Sequence, residues 1–362
     1  MRGSIIDRSC GPSGCEIDWL SSRRLEVGAD PASFAKLATD AGWGDGLPLI
    51  PPTEERVRDW VAASHRFPDE LLGILPPRDG RCTVEKLAVN AVMAGAPAQA
   101  MPLLCASVEA CVDADLDLFS LNTTTSSVVP ALFVNGPARH DLELPMEAGC
   151  FGGVAGPAPA IGRALRLVMR NVGGQKVGET SKSVFGQPAR VTGMVVAEWE
   201  ERSPWAPLAE RRGVSGNAVT VYGCIGTMDI ADIAADSGRS LLQLIGKSLA
   251  YPGTNAYISH WGAETLVAIP PPWADRIAAE FPAIEDVQEA LWSQAAHPIA
   301  FFPEAHRKWL AERDRIDADG IAHLVERPDE ILVLVCGGLG NLHALGLHNF
   351  GPTRAVTRAF PR

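Results

Sequence analysis

The chain has 362 residues, 46% of them hydrophobic and 21% charged, which suits one large folded domain or two ordinary ones and excludes a disordered chain. Its formal net charge of -11 disfavours nonspecific binding to nucleic acid or to an anionic membrane, and no Lys/Arg cluster interleaves with aromatics. No apolar stretch reaches the roughly 18 residues of a membrane span, and Met1-Arg2-Gly3-Ser4 lacks the apolar run of a signal peptide, so a cytoplasmic location is expected.

Residues 1–30 form a polar, irregular extension. Its Cys10-Gly11-Pro12-Ser13-Gly14-Cys15 turn separates two thiols by four residues, against two in a redox CxxC pair, and no further zinc ligands lie nearby. Residues 31–75 form a small helical region. A helix opens at Asp30-Pro31, and a Gly/Pro-rich rigid loop over 43–55 either covers a site or clamps the N-terminal region. Thr53 caps the helix that follows, with Val57, Trp60 and Val61 facing inward.

Residues 76–200 and 201–362 are expected to form two α/β halves. In the first, Thr83 opens helices over 83–114 that Pro97 and Pro102 interrupt, with Cys105 and Cys111 as core thiols. The hydroxyl run Thr123-Thr124-Thr125-Ser126-Ser127 suits either the wall of a ligand pocket or a loop or helix cap. Val128–Val134 is a strand whose Pro130 implies an edge position or a start near Ala131. After Pro157 an amphipathic helix turns Ile161, Ala164, Leu165 and Val168 inward and ends at Asn171-Val172-Gly173-Gly174. Arg163, Arg166 and Arg170 fall on its other side, as a solvated face or an anion site. Val191–Val196 is a strand weakened by Gly193.

The second half has strands over 218–224, 263–269 and 330–336, and helices over 236–249, 273–280 and, with interruptions, 285–314. Ile331-Leu332-Val333-Leu334-Val335 is apolar without alternation, as a strand buried on both faces should be. The fold class is therefore α/β, with mixed or mostly parallel sheets covered by helices. A faint echo, apolar strands and a helix with one cysteine-glycine turn in each half, allows two similar α/β halves.

The eight cysteines are too dispersed for a disulfide scaffold and should be free thiols, mostly buried. The strongest chemical pattern is Val335-Cys336-Gly337-Gly338-Leu339-Gly340-Asn341-Leu342-His343. A buried strand ends in a thiol, three glycines follow, and a helical-looking segment carries His343 and His348. Ligands of α/β sheets bind beyond strand carboxyl ends. Gly337, Gly338, Gly340 and Asn341 are thus the candidate binding loop, their N–H groups surrounding an anion. Near a helix N-terminus Cys336 would be a depressed-pKa nucleophile or metal ligand with His343 as its base. The plainer alternative is a small buried residue followed by packing turns.

Cys150, in Glu147-Ala148-Gly149-Cys150-Phe151-Gly152-Gly153, is a second candidate, with core packing as its alternative. His260 precedes a strand beside Trp261 and is a candidate base or metal ligand, or a structural histidine; Lys247 and Tyr251, four apart, are a candidate anion holder. The absence of GxGxxG and GxxxxGK[ST] gives no support for NAD or ATP, and no HExxH or GxSxG supports a zincin or a hydrolase triad. A divalent metal ion held by thiol and histidine remains an open cofactor, with its ligands unknown.

Asp45-Gly46-Leu47-Pro48-Leu49-Ile50-Pro51-Pro52-Thr53-Glu54-Glu55-Arg56-Val57, Phe185-Gly186-Gln187-Pro188, Ser203-Pro204-Trp205-Ala206-Pro207-Leu208 and Val335-Cys336-Gly337-Gly338-Leu339-Gly340 together resemble a poorly characterised bacterial family. That family is associated with the small selenocysteine or cysteine proteins called UGSC proteins, and the resemblance covers about residues 40–345. Its turn after the last strand often looks like Ala-Gly-Gly-Pro-Gly with a histidine shortly after. Here Cys336 takes the first position, Leu339 the fourth, and His343 matches the histidine. The resemblance implies thiol-related chemistry and no particular reaction.

Two functions are expected from these residues. One is an enzyme, lyase or hydrolase in type, acting on a small polar or anionic molecule through a thiol/histidine or metal-assisted site. The other is a non-catalytic structural or binding subunit of a larger bacterial complex. The enzyme requires Cys150 and Cys336 close to each other, or to a histidine, in a closed polar pocket; the subunit has them apart and dry. A homo-oligomer, most simply a homodimer, is the expected state.

Overall fold

The continuous apolar strand Ile331–Val335 is explained by what covers it. In a computed structural model, which describes residues 20–28, 30–152, 156–258, 264–351 and 353–362, helices pack on one face of its sheet and a closed apolar interior on the other. The Cys10–Cys15 turn and His260 lie outside the described residues.

The strands in chain order are β1 (Leu71–Leu75), β2 (Gly80–Thr83), β3 (Val129–Asn135), β4 (Met194–Ala197), β5 (Ala218–Ala231), β6 (Thr265–Ile269), β7 (Ala296–Pro298), β8 (Ile321–His323), β9 (Ile331–Val335), β10 (His343–Asn349) and β11 (Val356–Ala359). β1–β2 and β7–β8 are small antiparallel pairs. The other seven form one mixed sheet in the order β4-β3-β5-β10-β6-β9, with β11 pairing β5 beyond the end of β10. β3–β4 and β6–β9 are parallel; the remaining pairs are antiparallel. This single sheet takes strands from both 76–200 and 201–362.

The sheet curls until its two edges meet. Trp199, just past β4, donates its N–H to Val335 O at the end of β9, 2.7 Å away, and the Arg211 guanidinium donates to Val333 O. Alternation then sorts the side chains. Val129, Ala131 and Phe133 of β3 and Leu332, Leu334 and Cys336 along β9 point into the enclosed cluster, with Tyr222, Leu266 and Leu347. Leu132 and Val134 point outward beneath α3 (Val84–Ala94), α4 (Met101–Cys111) and α5 (Ala158–Asn171), and Val333 and Val335 beneath α6 (Gly238–Leu249), α7 (Pro271–Ala278) and α8 (Ile284–Gln294). Three further helices, Pro31–Asp40, Glu54–Ala63 and Glu304–Ala311, are peripheral. No helix among the described residues is long and apolar enough to cross a membrane.

Local chemistry sets several boundaries as expected. Thr53 and Thr83 accept from Arg56 N–H and Lys86 N–H at helix starts, and Ser237 caps α6. Four details differ. Pro130 lies inside β3, which is not an edge strand; β4 pairs only from Ala131 onward, so the missing N–H costs no ladder bond. Residues 189–192 form a helical turn rather than a strand, because Gly193 at φ 65 breaks the backbone before β4. Arg163 and Arg166 are buried, not solvated. Arg163 grips Asp45 through two bonds of 2.7 and 2.8 Å and Pro48 O at 2.9 Å, which clamps the rigid loop onto α5. Finally, the segment carrying His343 and His348 is strand β10, not a helix, since it is hydrogen-bonded on both sides, to β5 and β6.

The β1–β2 hairpin docks on the C-terminal end of α5 at a spot that admits no side chain. A Cβ on Gly80 would lie 1.8 Å from Val172 O, whereas one on Gly226 meets nothing within 4 Å. Gly80→Ala is therefore expected to lower unfolding stability by about 2–3 kcal/mol in urea titrations, with Gly226→Ala near neutral.

Candidate functional site

The cysteine-glycine turns meet where the sheet closes. Residues 145–150 run as a strap along the seam: Ala197 N–H donates to Pro145 O at 2.9 Å, and Gly337 N–H to Met146 O at 2.8 Å. One side of the strap is thus pinned to β4 and the other to the end of β9. Gly337 takes φ 100, which an L side chain resists, and a Cβ on Gly338 would press to 3.2 Å from the Ala148 Cβ. These two glycines let the chain turn and the strap approach. The strap's last residue, Cys150, comes to Cys336, whose N–H extends the β6 ladder by donating to Ile269 O at 3.2 Å.

Cys150 and Cys336, 4% and 3% exposed, share the enclosed cluster with Val196, Phe133 and Leu334. The two thiols lie close enough that each is the largest influence on the other's ionisation. The influence acts oppositely on them. Cys336 pulls the Cys150 thiol below the ordinary range, helped, against the cost of burial, by the backbone N–H groups of Cys150, Gly337 and Phe151. Two of these N–H groups are shared, since Cys150 N–H also reaches Glu147 O and Gly337 N–H reaches Met146 O. Cys336 is driven well above the ordinary range, first by Cys150 beside it, then by burial and by the negative charges of Cys150 and Glu198. No helix follows Cys336 to assist it, because β10 replaces the expected helix. The depressed thiol is Cys150, the reverse of the order expected from sequence.

The expected histidines stand elsewhere. His343 opens β10, is 62% exposed and pairs with Asp229 at 3.1 Å. Register sets it two strands from Cys336 across β6, roughly 10 Å at about 4.8 Å per strand. His348 is buried against Tyr251 and Thr265, and burial lowers its pKa to about 4. The Lys247 ammonium is taken up by Ala296 O at 2.8 Å. Gly340 and Asn341 lie in the exposed part of the loop, where Asn341 O accepts from the Trp273 indole at 2.5 Å. Among the described residues no three His, Cys, Asp or Glu side chains converge with metal-binding geometry.

Sequence reasoning missed Glu198. It follows β4, is buried, and uses Oε2 to accept from Asn135 Nδ2 and Leu208 N–H, both at 2.7 Å, while Oε1 has no partner. Burial pushes its carboxyl pKa upward, against the pull of Arg211. Below it, buried Arg139 donates to Glu198 O at 2.7 Å and to the Glu200 and Glu201 carboxylates at 2.8 and 2.9 Å. The available signal was an acidic residue directly after Met194-Val195-Val196-Ala197, where an apolar strand meets the closing seam. A thiol of lowered pKa, a second of raised pKa and a carboxyl of raised pKa thus sit at the closing seam, a set able to attack an electrophile and move a proton.

The six described cysteines are free and buried. Burial raises Cys82, Cys105, Cys111 and Cys224 from an ordinary value of 9.0 to about 12. Their folded pKa values exceed the unfolded ones, so the stability they confer is complete below pH 9 and is lost as pH rises toward 12. Urea unfolding across that window should show falling stability, and Cys224→Ala should remove one thiol's share of the slope, at most about 1.4 kcal/mol per pH unit.

No protein family model matches this chain, and no curated protein is significantly similar to it in sequence.

Proposed function

We propose that the chain is a thiol-dependent enzyme acting on a small polar or anionic substrate, with Cys150 as the nucleophile and Cys336 as its partner thiol. One observation carries this reading. The strap pinned at Ala197 and Gly337 brings Cys150 to Cys336, and there the Cys150 thiol is shifted downward, whereas burial is the chief cause that raises Cys82, Cys105, Cys111 and Cys224. A thiol kept only for packing gains nothing from a second thiol beside it.

In this reading the Cys150 thiolate attacks an electrophilic centre of the substrate, and the departing group takes a proton from Cys336 or from the Glu198 carboxyl. N–H groups of Phe151 and Gly337 stabilise the negative charge before attack and again when the thiolate is released. Whether the departing group is replaced by water or leaves an unsaturated product separates the hydrolase from the lyase form. His343 and His260 are not needed for this step. The acidic surface fits a cytoplasmic homodimer with a small-molecule substrate rather than nucleic acid or membrane. The resemblance to the UGSC-associated family, which implies thiol-related chemistry, agrees with it. A second reading, dithiol–disulfide exchange, rests on the proximity of the two thiols: each loses a proton, the pair loses two electrons to an oxidising substrate, and an S–S bond forms. The non-catalytic subunit, expected to keep the two cysteines apart and dry, agrees with their burial in an apolar cluster rather than a polar pocket, but not with their proximity.

Thiolate absorbance against pH tests the proposal without requiring access to the buried sulfurs. The wild type should show an ionisation step below the ordinary thiol range that Cys150→Ser removes and Cys336→Ala moves upward. Loss of that step in neither variant, or its absence from the wild type, overturns the assignment. Quantifying a Cys150–Cys336 disulfide after mild oxidation then separates the two forms of thiol chemistry.

A further inference from the structure

A second site lies away from the thiols. Between α5 and residues 175–191 is a cavity of about 390 Å³, lined by Arg166, Arg170, Gln175, Ser183, Gln187 and Arg190 among others. None of its lining residues belongs to the strap 145–150 or to the turn after β9.

Two guanidinium groups in this wall lack a counter-charge. Arg166 is 6% exposed; its Nε donates to Arg190 O at 3.2 Å and its Nη2 to the Gln175 side-chain oxygen, both neutral acceptors. Arg190 Nη2 donates to Ser181 Oγ at 2.9 Å, again neutral. The Nη1 atom of each arginine is buried and has no partner. Asp45, the acidic residue that lines the cavity, is committed to Arg163 by two bonds. Burial and the neighbouring Arg190 charge push the Arg166 pKa down to about 9, as expected of a buried cation without an anion. Buried charges are ordinarily paired, because removing an ion from water is costly. Planar guanidinium forks are matched by two-oxygen anions. The rim adds Val177, Val184 and Phe185, all strongly exposed, which offer apolar contact to the rest of a ligand.

We infer that this cavity binds a small organic molecule through an oxyanion group, a carboxylate or a phosphate, seated between Arg166 and Arg190, with an apolar portion against the Phe185 rim. The site stands on its own observations and holds whether or not the thiols are catalytic.

The test uses the intact chain and two probes, inorganic phosphate and succinate, at millimolar concentration and at ionic strength matched with chloride. The thermal unfolding midpoint should rise saturably with at least one probe; which of them acts identifies the anion class. Arg190→Gln, at the less buried of the two arginines, should weaken that probe about 10-fold to 100-fold, the loss expected when a charge-assisted bond is removed. Arg166→Gln should do the same, and if it does not fold the Arg190 variant decides alone. No saturable shift with either probe, or an apparent affinity unchanged in Arg190→Gln, overturns the inference.

Discussion

The hydrogen bond from Trp199 to Val335 O is the constraint on which the rest depends. A sheet of seven strands has two edges with unmatched backbone groups, and leaving them buried is expensive. Here curling brings the edges together, and the strap 145–150 takes the donors and acceptors that the two strands cannot satisfy between themselves. Three consequences follow from that one closure. The inner face becomes a sealed apolar cluster. The outer face is left for two separate helical layers. And the strap, pinned on both sides, delivers Cys150 to Cys336 across 186 positions of sequence.

Closure also explains the polar groups at the seam. Where β4 ends against β9, Glu198 is drawn inside, and its carboxylate is held by Asn135 and Leu208 N–H rather than by an arginine. Arg139, equally buried, serves the carbonyl of the same residue and the two following glutamates. The seam therefore separates a carboxyl of raised pKa from the guanidinium that would otherwise have neutralised it.

Periodicity alone made much of the architecture legible. Ile331–Val335 announced a strand covered on both faces, and the register of β9 puts Leu332, Leu334 and Cys336 on one side by simple alternation. The mixed, helix-covered α/β sheet followed from the same reasoning. Segments whose structure depends on distant partners were not legible. Leu342–Asn349 has glycine and histidine spacing compatible with a helix, and becomes a strand only because β5 and β6 offer it two ladders. Arg163 and Arg166 sit where an amphipathic helix shows its polar face, yet Asp45 and Arg190 O come over that face from 118 and 24 residues away. The site was half visible. Both cysteine-glycine turns stand out in the sequence, but the glycines after Cys336 suggest an anion cradle. Their observed work is to let a strap pack on a turn, which no local pattern encodes.

Burial of a charged group without a partner is the feature that links the two sites. Among the described residues, Glu198, Arg166, Arg190 and Arg313 each keep a buried side-chain polar atom unbonded. Arg313 lies over the Trp309 ring, its guanidinium carbon 3.2 Å from the centroid, and pairs with Glu312 at 3.7 Å, so its positive charge is met. Glu198 feels Arg211 without bonding to it, and Arg166 and Arg190 have no carboxylate bonded to them; these three fall beside the thiol pair or along one cavity. Folding tolerates such groups only where something outside the chain's own hydrogen-bond network completes them, because each costs on the order of 1–3 kcal/mol, and more when charged. At the seam the raised carboxyl pKa of Glu198 lessens the cost of the stranded charge. At the cavity the inferred anion would do so, since a guanidinium gives up its proton far less readily than it accepts a counter-ion. The same physical deficit is thus met differently at the two places, and the sign of the stranded charge decides how.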